Sequence, residues 1–296
     1  MTIRREMLQA ARRAQNLLSD SRDLVVAFIR RQLREDGGFK GRSDNSDLYY
    51  TVFGIESLLA LGADLPVENI AEYLKNWGAG ESLDLVHLAC LIRCWADLSC
   101  TILATEVRDS ILTRLGSYRS TDGGFASDIK SECGSAYACF MALGAYQDLG
   151  LKAPQPAGII HSLKALRTDD GGYVNQRGKS AGSTPATAAA VIILKQMGEP
   201  VDKSMAQWLL RQQHPQGGFL AMAAAPTPDL LSTATALHAL AALKTPLDNI
   251  RRPCLDFLDS LWSSQGGFCG HAFDDTIDCE YTFYGLLALG HLDSGK

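Results

Sequence analysis

Gly37-Gly38-Phe39 is the first of five copies of one signature, followed by Gly123-Gly124-Phe125, Gly171-Gly172-Tyr173, Gly217-Gly218-Phe219 and Gly266-Gly267-Phe268. Their first glycines are spaced by 86, 48, 46 and 49 residues, and the 86 is two units of 43 around a degenerate turn, Gly78-Ala79-Gly80. A period of this size marks a single array of helical repeats, so six units and one domain over 1–296 are expected, with 1–20 as an N-terminal extension or helix.

The segments beside each turn state how a unit is built. Upstream runs carry charge on one side, as in Asp23 to Leu33 and Leu247 to Leu261, whereas downstream runs such as Thr51 to Leu61 and Thr187 to Met197 are apolar nearly all round. A helix with one polar face lies at a surface, and one without must be enclosed. Twelve helices therefore sort into six outer and six inner ones. Neither end of the array has a polar capping repeat, which favours closure into an all-α double-walled barrel, an (α/α)6 toroid, over an open solenoid.

Composition limits the function. The chain has 296 residues, is 46% hydrophobic and carries a net charge of −5 without a basic stripe, so a large core is expected and a nucleic-acid partner is not. No apolar run approaches the roughly 18 residues of a spanning helix. Met1 to Arg13 has basic residues with no apolar stretch behind them, unlike a secretion signal. The eight cysteines, Cys90, Cys94, Cys100, Cys133, Cys139, Cys254, Cys269 and Cys279, form no Cys-x-x-Cys pair and read as reduced thiols of a cytoplasmic protein.

Aligned on their first residues, the inner helices begin at Asp47, Asp84, Ser135, Ser183, Asp229 and Asp278. All are N-cap types, whose side-chain oxygen accepts from orphan backbone N–H groups for about 1 kcal/mol. Because the hairpins repeat, all six caps fall on one rim, and four carboxylates meet the positive helix ends there. Three residues on, beside the caps, stand Tyr50, His87 and Tyr281. Units one, two, three and six add bulky groups, among them Tyr49, Phe53, Trp95, Tyr137, Phe140, Phe283 and Tyr284, against small ones in units four and five. Small side chains facing aromatics leave room for an apolar ligand, with Tyr50, His87, Tyr137, Tyr281 and Trp95 as candidate binding residues.

These repeats resemble the α/α toroid of protein prenyltransferase β subunits and squalene-cyclase-like terpene cyclases, from about Asp23 to the end. Asp47-Leu-Tyr-Tyr-Thr-Val-Phe-Gly54 and Asp278-Cys-Glu-Tyr-Thr-Phe-Tyr-Gly285 are similar to the Asp-Pro-Phe-His-Thr-Leu-Phe-Gly signature of geranylgeranyltransferase β subunits. The resemblance implies an isoprenoid ligand in the barrel and, for the transferases, an α-type partner subunit. It also implies zinc, bound by Asp-x-Cys at the fifth inner helix and His at the sixth. Asp229 keeps its place, but Leu231 stands at the cysteine and Tyr281 at the histidine, and one carboxylate cannot hold tetrahedral zinc. A site rebuilt from Asp278, Cys279 or His271 is the alternative. Ala223, Pro226 and Ser180 replace the family's diphosphate-binding cations, for which Arg42, Arg177 and Lys179 could substitute from neighbouring turns.

The cyclases instead protonate an alkene with Asp-x-Asp-Asp-Thr at the head of an inner helix. The matching Asp229-Leu-Leu-Ser-Thr233 lacks both central acids, whereas the sixth unit crowds Asp274, Asp275, Asp278 and Glu280 together. Crowding raises carboxyl pKa values, so one of these could be a neutral proton donor near pH 7. Asp274, Asp275 and Asp278 also spell the Asp-Asp-x-x-Asp of magnesium-dependent prenyl diphosphate chemistry. The candidate catalytic set is Asp229, Asp278, Glu280 and Asp275, with zinc or magnesium as the conceivable cofactors. A toroid that only binds an apolar ligand or a protein is the remaining alternative.

Overall fold

The computed structural model describes residues 1–98 and 104–294, so Cys100 lies outside it. Helix α1 (Ile3–Arg12) and the single turn α2 (Gln15–Leu18) precede the repeats. Outer and inner helices then alternate: α3 (Arg22–Gln32) and α4 (Leu48–Ala60), α5 (Val67–Lys75) and α6 (Leu85–Asp97), α7 (Thr105–Ser117) and α8 (Ala136–Asp148). The second half continues with α9 (Pro156–Lys164) and α10 (Thr184–Gln196), α11 (Ser204–Arg211) and α12 (Leu230–Ala242), α13 (Asp248–Leu261) and α14 (Cys279–Leu292). Each inner helix packs on the next, and α14 packs on α4, so the inner wall is closed.

The glycine turns make this closure possible. Gly37, Gly123, Gly171, Gly217 and Gly266 have φ between +91° and +99°, a region that costs any other residue strain. The turn also lies against the next unit's outer helix. A Cβ on Gly37 would stand 2.0 Å from the carbonyl oxygen of Asn69 in α5, and one on Gly266 would stand 2.3 Å from that of Leu24 in α3. Gly266 thus forms the seam at which the sixth unit meets the first.

The aromatic after each Gly-Gly pins the turn to its inner helix. Phe39, Phe125 and Phe219 are fully buried, and the backbone N–H groups of Phe39, Tyr173, Phe219 and Phe268 donate to Thr51, Thr187, Thr233 and Thr282. Cys139 Sγ accepts in the third unit. The threonine hydroxyl donates in turn to the carbonyl of the cap residue, as in Thr51 to Asp47 and Thr282 to Asp278. Gly54 and Gly285 leave space for the rings of Phe39 and Phe268, which a Cβ would meet at 2.4 and 2.6 Å. The Asp, Thr and Gly of the signature are therefore structural: cap, clasp and ring seat.

Helix α1 is docked over the end of the barrel opposite the caps, where it packs on α4, α8 and α14. Gly290 admits it so closely that a Cβ would lie 1.8 Å from the carbonyl oxygen of Ala10. Arg4 reaches the inner helix ends, pairing with Asp97 at 2.6 Å and Asp148 at 2.8 Å. Among the described residues, no helix is long and apolar enough to cross a membrane.

Candidate active site

Five of the six expected caps accept from their own helix. Asp47 takes the N–H groups of Tyr49 and Tyr50, and Asp84, Ser135, Asp229 and Asp278 each take the N–H three residues on. Ser183 makes no such bond: its helix begins Thr184-Pro185, and Thr184 is held by the fifth unit's turn, N–H to Ala221 O and hydroxyl to Leu220 O.

From these starts the helical pitch decides which side chains see the lumen. The residue two beyond the cap keeps solvent access in every unit: Tyr49, Val86, Tyr137, Pro185, Leu231 and Glu280. Those one and four beyond are buried in all six. One turn deeper, Met141, Ala189, Thr235 and Tyr284 are also half-buried beside Phe53 and Cys90. Seven residues below the first ring, about 10 Å at 1.5 Å per residue, Glu56, Arg93, Ile192, His238 and Leu287 form the floor. Arg93 donates to both oxygens of Glu56, at 2.5 and 2.7 Å. Solvent access at this ring, with the Glu56–Arg93 ion pair in the buried layer below it, outlines a funnel that narrows from the caps.

Glu280 stands in the first ring, and Tyr49 donates to its Oε1 at 2.6 Å. Burial raises its carboxyl pKa to about 7, against the opposing Tyr49 bond, with Asp278 adding repulsion. Tyr137, Tyr284 and Tyr49 all feel the Glu280 charge, so phenols from three helices converge on one carboxyl group. Phe53 packs on Tyr49 and Tyr284 with ring centroids 5.0 and 5.5 Å away. A carboxyl group that keeps its proton up to near neutrality is available as a proton donor, and the aromatic faces around it can stabilise a cation.

The other acids serve differently. Asp278 is 3% exposed and burial raises its pKa, while it caps α14 and accepts from Arg42 Nε at 3.1 Å. Arg42 also pairs with Asp274 at 2.6 Å and lies 5.5 Å over the Tyr281 ring. Arg177 pairs with Asp122 at 2.6 Å. Two of the substitute cations are thus matched to carboxylates. Asp275 is exposed on the loop before α14, outside the funnel. Asp229 gives both oxygens to Ser232, Oδ1 to its N–H and Oδ2 to its hydroxyl, and burial raises its pKa.

The expected binding residues divide by helical register. Tyr137 enters the lumen. Tyr50 and Tyr281, three beyond their caps, remain on the rim beside Gly41 and Gly270, their pKa values raised to about 12 by burial. His87 sits on the rim with Nδ1 2.8 Å from Asp84 Oδ1. Trp95 follows Arg93 by two residues, a rotation of about 200°, and is 5% exposed. Tyr49 and Tyr284, named from the sequence among the bulky groups but not as binding residues, are half-buried two and six residues beyond their caps.

The model of the prenyltransferase α-α toroid domain matches residues 6–149, 136–205 and 187–294. Among solved structures, a variant of the type II terpene cyclase MstE from Scytonema, in complex with its substrate geranylgeranyl dihydroxybenzoate, is similar at 15% identity. That match has a TM-score of 0.61 and covers 94% of this chain and 97% of the cyclase chain. Candida albicans protein geranylgeranyltransferase-I complexed with GGPP is similar at 16% identity and a TM-score of 0.67, over 92% of this chain and 90% of that one. At such identities the likeness is one of fold. No curated protein matches the chain in sequence.

Proposed function

The chain belongs to the prenyltransferase α-α toroid family, and we propose that it takes an isoprenoid chain into its funnel and transforms it by proton transfer from Glu280. The carrying observation is the Glu280 carboxyl group, held near pKa 7 in an aromatic lumen with Tyr49 on one oxygen. In the proposed step the carboxyl O–H bond breaks as its proton adds to a carbon–carbon double bond. The alkene π electrons form the new C–H bond, leaving a tertiary carbocation and a carboxylate. Attack by a second double bond closes a ring, and loss of a proton from the cyclised cation restores the neutral acid. The reaction is a net isomerisation. Faces of Phe53, Tyr49 and Tyr284 line the path of the cation.

This reading assigns no zinc to the site. It is supported by the engagement of both Asp229 oxygens with Ser232, by Leu231 and Tyr281 in the other ligand positions, and by the lack, among the described residues, of any grouping of three His, Cys, Asp or Glu side chains suited to a metal. Magnesium is not assigned either, since Arg42 already joins Asp274 to Asp278. The ligand of the Scytonema cyclase, a geranylgeranyl chain on an arene, makes prenylated arenes the first substrates to try. Incubation in D₂O should place one deuterium in a cyclised product, and Glu280→Gln should abolish turnover while the ligand still stabilises the protein. Stabilisation by farnesyl or geranylgeranyl diphosphate that requires Zn²⁺ would overturn the assignment in favour of transferase chemistry.

A further inference from the structure

Helix α8 carries Gly144 in its interior, where its φ is an ordinary helical one. Glycine there weakens a helix relative to alanine, and a Cβ built on Gly144 would meet no atom within 4 Å. The open space has a boundary of mixed character. Gly144 lines a small cavity, of about 20 Å³, between α1, α6 and α8. Its apolar side includes Ile3, Phe140 and Met141, and its polar side is Arg4, Arg93 and Asp148.

Each polar residue brings an unused hydrogen-bonding atom to this space. Arg93 commits Nε and Nη2 to Glu56 and Met7, and its Nη1 has no partner among the described residues. Asp148 accepts from Arg4 at Oδ1 and leaves Oδ2 unused, while Arg4 donates from Nε to Asp148 and from Nη1 to Asp97, with Nη2 left over. These three atoms differ from orphans sealed inside the protein, because each keeps accessible surface. The Arg93 and Asp148 side chains are 14% and 3% exposed, so what little surface they keep is at the cavity they line. Two donors and one acceptor without partners thus border a space of one small molecule.

We propose that this cavity is a binding site for one ordered water, which accepts from Arg93 Nη1 and Arg4 Nη2 and donates to Asp148 Oδ2. The volume exceeds the roughly 10–15 Å³ that a water requires, and three partners lie within the usual two to four. Charge selects a neutral ligand: the two guanidinium groups oppose a cation, and Asp148, with Asp97 and Glu56 bonded to the same arginines, opposes an anion. The water joins α1, α6 and α8 at one point. Because Arg93 also holds Glu56, the water positions the guanidinium on which the lumen floor is built and seats α1 beneath it. The site is independent of the role given to Glu280.

Gly144→Ala and Gly144→Ser in the full chain test the proposal, and both should fold, since the added Cβ enters open space. Were the cavity dry, Gly144→Ala would raise Tm by about 2 °C, the usual gain from alanine in a helix interior. Displacing a water with three partners should instead lower Tm by about 2 °C or more. Serine is the weaker helix former of the two, yet its hydroxyl can stand in for the water, so Gly144→Ser should melt above Gly144→Ala. Oxygen-17 relaxation dispersion, which counts long-lived waters, should find one fewer in Gly144→Ala than in the parent. A higher Tm for Gly144→Ala, a serine variant that melts at or below it, or an unchanged count of long-lived waters would each overturn the site.

Discussion

Tyr49 of the first unit donates its phenolic hydrogen to Oε1 of Glu280 in the sixth, at 2.6 Å, across the seam where the barrel closes. The bond favours the ionised carboxyl group, while burial favours the neutral one and prevails, to a value of about 7. Because the folded pKa is raised, the acid is charged with its proton below about pH 7 and loses it as pH rises through that value. Acid-initiated turnover should therefore fall about tenfold per unit above the midpoint. The contribution of Glu280 to conformational stability runs in the same direction, greatest at acid pH and lost as pH rises to about 7. Tyr49→Phe should move the midpoint up by about one to two units, the worth of one hydrogen bond to a charged group. A carboxyl ¹³C titration reads the shift, and a midpoint that fell or stayed in place would refute the account.

Arg4 neutralises Asp97 and Asp148, whose side chains are 0% and 3% exposed. Arg4→Met leaves both buried without that partner and should cost about 3–5 kcal/mol in urea denaturation at neutral pH. Burial already raises the pKa values of both acids, so they take up protons readily as pH falls. The deficit should shrink in acid, and a deficit independent of pH would contradict this.

Gly171 and Gly266 share a positive φ, but only Gly266 is pressed against a neighbouring backbone. A Cβ at Gly171 meets nothing nearer than 3.9 Å, whereas at Gly266 it would meet Leu24 O at 2.3 Å. Gly171→Ala should lose about 1 kcal/mol or somewhat more, from dihedral strain alone. Gly266→Ala should lose clearly more and open the seam, seen as faster amide exchange in α3 and α14. Equal losses would show that seam contact is not limiting.

Thr233 accepts from the Phe219 N–H and donates to the Asp229 carbonyl, both inside the wall. Thr233→Val keeps its shape and strands a buried N–H, which should cost about 1–3 kcal/mol. Thr235 faces the lumen and bonds only within its own helix. Thr235→Val should stay within about 0.5 kcal/mol of the parent; comparable losses from the two would refute the clasp.

The Gly-Gly-aromatic period carried the architecture because each letter has a local cause that recurs: a positive φ, a close backbone approach and a buried ring. The caps were equally legible, since an Asp or Ser before an apolar run serves its own helix. Glu280 and Tyr137 were legible as candidates because a first-turn acid and a first-turn aromatic are visible in the chain. Where Tyr50, Tyr281 and Trp95 stand around their helices was not legible, because one residue of register turns a side chain by about 100°. Asp274, Asp275 and Asp278 read as a cation motif, yet Arg42, more than 230 residues away in sequence, joins two of them.

By itself the sequence determined six helical hairpins, their inner and outer walls, and a shared rim of helix starts, because these follow from short-range periodicity and backbone preference. Tertiary structure decided which face of each inner helix became lumen, which acids Arg42 joins in ion pairs, and how α1 closed the far end. These depend on contacts between units distant in the chain, and burial, a property of the closed ring, sets the protonation of Glu280.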